Sequence, residues 1–101
     1  MKQFKVYISD QAWLDINNLT NYIRRELKSP LTALRYTNGI VIEMLKLGKY
    51  ANSISRSKYK SVLLYGNNAR SISYKKHAVI YTVQQEKVII HRIIIASLIK
   101  E

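Results

Sequence analysis

Side chains able to do chemistry gather between Arg70 and Arg92. His77, Tyr81 and His91 can take or give a proton. Arg70, Lys75, Lys76 and Arg92 can hold an anion. Each also has a purely structural reading. Arg70 follows a turn and suits a solvated base, and His77 suits the polar start of a strand. Tyr81 shares parity with Val79 and Val83, and His91 with Ile89 and Ile93, so both fit packing as well as proton transfer. Arg92 stands among isoleucines, where a guanidinium requires an acidic partner or a wet concave face. The two histidines are fourteen positions apart with no clustered carboxylates, so no metal site is expected. No glycine-rich phosphate loop occurs, and neither a cofactor nor a small-molecule substrate is expected.

The elements that must position these residues follow from periodicity. Phe4–Ile8 alternates as a half-buried strand does. Ser9 is an N-cap residue with Asp10 in the first helical turn, where the helix dipole favours negative charge. Ala12, Ile16, Leu19, Ile23 and Leu27 then form a helical stripe. Ser29-Pro30 stops that helix and opens another, with a stripe of Ala33, Tyr36, Ile40, Met44 and Leu47 widened by Val41 and Leu45. Gly39 within it implies close helix–helix approach or simple tolerance, and Gly48 reads as a C-terminal stop. Tyr50–Lys60 is basic and non-periodic, hence a loop. The segments 61–65, 70–74, 77–83 and 88–95 are β-rich and separated by turn-length connections. The last of them is apolar on both parities apart from His91 and Arg92, so it belongs inside the sheet. The expectation is one α+β domain over residues 1–101, ordered β-α-α-β-β-β with a further strand optional. A two-helix hairpin covers one face of an antiparallel sheet, and strand one lies beside the last. Leu19, Ile23, Ile40, Met44, Ile72, Ile80 and Ile90 are expected in the core.

The chain has 101 residues, 17 of them Lys or Arg against 6 Asp or Glu, for a net charge of +11. A body this small and this basic calls for an acidic counterpart. The 48% hydrophobic content argues against disorder. Absence of Cys excludes disulfides and Cys-ligated zinc and suits a reducing compartment, the cytoplasm. No apolar run approaches the ~20 residues of a membrane span, and no leader is expected at the start. Between Lys49 and Lys76 there are bases and no acid. Eight tyrosines accompany one phenylalanine, and a phenol serves stacking on a base or half-buried packing equally well. Neither helix carries the basic, base-reading face of a recognition helix.

The order and distances of these segments resemble the RelE/ParE superfamily of toxins from type II toxin–antitoxin modules. The likeness runs through Phe4–Ser9 into Ala12-Trp13-Leu14-Asp15-Ile16, then Tyr22-Ile23, Ser29-Pro30 and Leu45-Lys46-Leu47. It continues in Arg70–Tyr74, His77–Val83 and Val88–Ile93. What the resemblance implies is a growth-inhibiting toxin silenced by a cognate acidic antitoxin. The target is DNA gyrase in ParE-like members, or mRNA on the ribosome in RelE-like ones. A gyrase poison would use Arg70, Lys75, Lys76 and Arg92 as a target-binding surface. A nuclease would need proton transfer from His77, Tyr81 or His91. Ala78 stands where many RelE-like chains carry arginine, and the end Ala96–Glu101 lacks their basic tail bearing Tyr or His. That tail also lacks the His-and-Arg ending frequent in ParE-like chains. The Ser29-Pro30…Ala33 junction is more ParE-like. A basic nucleic-acid- or protein-binding module without toxicity is the reading from another class.

Overall fold

The structure is a computed structural model that describes residues 3–99. Lys2, Lys100 and Glu101, and with them the last positions of the tail, lie outside the described residues. Strand β1 (Lys5–Ile8) leads into helix α1 (Asp10–Leu27), and α2 (Pro30–Tyr50) follows. A short 3-10 turn, Ala51–Ser53, and a single-turn helix α3 (Lys60–Leu63) precede β2 (Arg70–Tyr74), β3 (His77–Gln84) and β4 (Lys87–Ile95). Both long helices start as their sequences dictate. Ser9 accepts from the Ala12 N–H and Ser29 from the Thr32 N–H, each satisfying an otherwise unpaired first-turn donor. Pro30 occupies the first helical turn, and Lys28 closes α1 in the left-handed region at φ 50.

The sheet order is β1-β4-β3-β2, with β4 inside as expected. β2–β3 and β3–β4 are antiparallel, whereas β1 pairs with β4 in parallel. The sheet is therefore mixed. The helical hairpin returns the chain to the end where β1 began: the Phe4 N–H donates to the Gly48 carbonyl at 2.7 Å.

The helices cover one face. Ala12, Ile16, Ile40, Met44, Leu47, Tyr81, Val88 and Ile90 are buried there, with Leu19 and Ile72 packed against them. Ile80 points the other way, into a second cluster with Val62 and Ala69. Ile23 is only half-buried and lies outside both clusters.

Four local expectations need correction. Residues 61–65 are not a strand; α3 and a turn lie there, and Val62 plugs the back of the sheet. Gly48 does not end α2, which runs on to Tyr50; a Cβ on Gly48 would stand 3.3 Å from the Phe4 carbonyl, so the glycine serves close approach of β1. Gly39 allows close approach as well, but to Tyr74 of the sheet rather than to α1. Leu45 faces solvent.

Candidate functional site

β1 reaches β4 only as far as the Ile8–Ile90 pair, so β4 has a free edge beyond it. Helix α1 takes over there. Ser9 N–H donates to the Ile90 carbonyl, Ser9 Oγ donates to the His91 carbonyl, and Asp15 Oδ2 accepts the Ile93 N–H at 3.0 Å. Between these contacts β4 bulges. Ile80 faces Arg92 while Tyr81 faces Ile90, leaving His91 as the extra residue. The bulge resets parity, so Ile90 and Ile93 both enter the helix-side core although three positions separate them. Arg92 closes the arrangement: its Nε and Nη2 donate to the two Asp15 oxygens at 2.8 and 3.1 Å. These hydrogen bonds to Asp15 hold the guanidinium pKa above its ordinary value. Asp15 is the acidic partner that an arginine among isoleucines requires.

Beside this ion pair a groove of about 770 Å³ runs between the helical hairpin and the sheet. Leu19, Tyr22, Ile23 and Leu27 form its α1 wall, and Ile95 and Leu98 its far side. Tyr22, Leu27 and Leu98 are largely exposed, a concentration of apolar surface that water does not favour. Its polar lining is mixed in charge: Lys76, His77 and Arg92 on the sheet side, Asp15, Asn18, Glu26 and Thr32 on the helices.

At one end of the groove Tyr36 bonds His77 Nδ1 at 2.7 Å. Tyr36 also meets Tyr74 and His77 edge to face, and Lys75 Nζ lies 5.5 Å from the centroids of both tyrosine rings. Burial raises the Tyr36 phenol, an effect partly offset by a hydrogen bond from the Lys76 backbone. Burial also lowers the His77 imidazole, which favours its neutral form. A neutral imidazole hydrogen-bonded to a phenol beside lysines can accept or relay a proton. Lys75 holds φ 53, a left-handed conformation that strains a side-chain-bearing residue.

The remaining sequence candidates lie elsewhere. Tyr81 is fully buried and donates to the Ala51 carbonyl at 2.9 Å. Arg70 donates to that same carbonyl and to Asn52 Oδ1. Together they pin the end of α2 to the sheet. Desolvation raises the Tyr81 phenol against the opposing influence of Arg70. His91 Nε2 bonds Thr82 Oγ1 at 2.8 Å, its ring lies near Tyr65, and burial lowers its pKa. The groove thus gathers Lys76, His77 and Arg92, with Lys75 above its rim tyrosine. Arg70, Tyr81 and His91 stay apart from it. Sequence alone does not mark Tyr36, Tyr74 or Asp15 as site residues. Tyr36 belongs to an apolar helix stripe, and nothing local links Asp15 to a strand residue 77 positions later.

Among the described residues no group of His, Cys, Asp and Glu could hold a metal ion, and no helix is long and apolar enough to cross a membrane. No family model matches the sequence, and no curated protein matches it. Among solved structures, the chain is similar to one described as "Chromosomal ParDE TA system from P. aeruginosa". The TM-score is 0.77 at 17% identity, covering 92% of this chain and 96% of that one. The chain therefore has the fold of a ParDE TA-system protein, the α+β arrangement that the RelE/ParE resemblance implied.

Proposed function

We propose that this protein is the toxin of a type II toxin–antitoxin module, that it poisons DNA gyrase, and that an acidic antitoxin neutralises it. The observation that carries the reading is the structural likeness to a ParDE TA-system chain over nearly the whole of both. The groove supports it too. Exposed apolar side chains beside Lys76, on a chain of net charge +11, suit an amphipathic segment of net negative charge. Of the target-binding bases, Lys75 and Lys76 stand exposed on the β2–β3 turn, while Arg70 and Arg92 also hold the fold together. The chain is read as growth-inhibiting without chemistry of its own.

A second reading, ribosome-dependent mRNA cleavage, is favoured by one observation: the Tyr36–His77 pair beside Lys75 and Lys76 offers a proton-transfer group next to cations. Expression without antitoxin separates the two. DNA breaks and lost supercoiling with intact mRNA support gyrase poisoning. Cut ends in translated mRNA with intact gyrase overturn it, and His77→Gln should then lower cleavage by about 10²–10⁴. Growth unaffected by expression overturns both.

A further inference from the structure

The strongest charge feature outside the groove is at the opposite end of the sheet. Three hydrogen bonds gather distant segments there. Arg70 Nη1 holds the Ala51 carbonyl, the Ser57 N–H donates to the Ala69 carbonyl, and Arg56 Nη1 donates to the Asn67 carbonyl. Lys49, Arg56, Lys58 and Lys60, all exposed, lie on or beside the segments these bonds join. None of them makes an ion pair among the described residues. Lys5 and Lys87, register partners across β1 and β4, extend the basic surface along that end. Glu86 is the acid of the β3–β4 turn there, and Lys87 follows it directly. Tyr50 follows Lys49 and Tyr59 lies between Lys58 and Lys60 in sequence, and the two rings are 54% and 44% exposed.

Exposed cations outside any ion pair fit a polyanion whose charges repeat, and exposed aromatic rings beside them fit unpaired bases. α3 is a single turn and offers no helix for a duplex groove. We propose that this corner binds single-stranded nucleic acid without sequence preference. Lys49, Arg56, Lys58 and Lys60 contact phosphates, and Tyr50 and Tyr59 stack on bases. The inference does not rest on the toxin reading, because neither toxicity nor an antitoxin enters its test.

The experiment is fluorescence anisotropy of the full chain with a labelled oligothymidylate of about 20 nucleotides, titrated from about 50 to 200 mM salt. Lys49→Gln/Lys58→Gln/Lys60→Gln should weaken binding and lower the slope of log K against log salt by about 0.7 per contact, so by about 2. Tyr50→Ala/Tyr59→Ala should weaken binding about 30-fold or more and leave the slope unchanged. Arg24→Gln/Arg25→Gln/Lys28→Gln removes the same charge at the α1–α2 junction, roughly 30 Å away along α2, and should change binding far less. Equal loss in the two charge variants would overturn the proposal, as would no binding by the unaltered chain. A duplex of the same length bound as tightly as the single strand would overturn it too. Should a triple variant unfold by circular dichroism, Lys58→Gln alone reads the same outcome through a slope change of about 0.7.

Discussion

Asp15 shows how one side chain can decide a local structure. It accepts both guanidinium donors of Arg92 and the Ile93 N–H, so it joins α1 to the β4 bulge through charge and backbone together. Asp15→Asn keeps the shape but removes the charge, and Asp15→Ala also leaves the Ile93 donor without its acceptor. Urea unfolding should show a loss of about 1–3 kcal/mol, larger for Ala. A loss below about 0.5 kcal/mol would mean that water replaces the carboxylate at no cost. The histidines set a second expectation. Burial holds His77 and His91 below the ordinary value of 6.5, so the unfolded chain takes up protons first as pH falls. The stability carried by the neutral rings is complete above 6.5 and declines as pH falls below it. Thermal unfolding should therefore soften on acidification, and His77→Gln/His91→Gln should show a flatter pH dependence than the unaltered chain. An unchanged slope in that variant would assign the effect to carboxylates instead.

Helix α2 is held against the sheet by what it lacks. A Cβ on Gly39 would collide with the hydroxyl and ring of Tyr74. Tyr74 cannot swing freely, because Tyr36 packs against its edge and Lys75 lies over its face. Gly39→Ala would otherwise gain about 1 kcal/mol of helix propensity. In this setting it should instead destabilise by about 1–3 kcal/mol through overpacking. With Tyr74→Ala already in place the collision partner is gone, and the same Gly39→Ala change should be neutral or stabilising. Chemical denaturation of the four proteins in that cycle measures the reversal. The β2–β3 turn makes a related point. Lys75 adopts φ 53 although a glycine would do so without strain. Lys75→Gly should raise the unfolding midpoint, and on the gyrase-poison reading it should lower toxicity. That opposition is expected where a strained position serves binding.

For the molecule as a whole, +11 on 101 residues makes association an electrostatic event. Binding of the proposed acidic antitoxin should be fast at low salt, and its on-rate should fall steeply as salt screens the charges. The apolar groove should set how slowly the complex dissociates. Stopped-flow measurement at several salt concentrations separates the two. A salt-independent on-rate would mean that the groove alone governs recognition. Charge also distinguishes two regions. Lys75, Lys76 and Arg92 border the groove, whereas Lys49, Arg56, Lys58 and Lys60 surround the far corner. Neutralising one group should leave the interactions of the other largely intact, since exposed charges much farther apart than the ~10 Å Debye length are screened from one another.

The order of elements, both helix starts, the inner place of β4 and much of the core could be read in the sequence. Those features rest on short-range regularities: a Ser cap beside its first turn, a stripe every three or four residues, and apolar residues on both parities. The same logic failed at residues 61–65, where an apolar run too short to settle its own conformation became a single helical turn because Val62 was needed behind the sheet. Parallel pairing of β1 and the bulge at His91 were not legible for a related reason: each depends on which chain lies alongside, not on neighbours in sequence. The chemical groups were visible as types, yet their partners were not. Tyr81 and Arg70 meet at Ala51, His77 meets Tyr36 across 41 positions, and Arg92 meets Asp15 across 77. Burial and hydrogen bonding between such distant positions arise only when the sheet closes under the helices. That closure separates the buried or tethered candidates from the exposed bases.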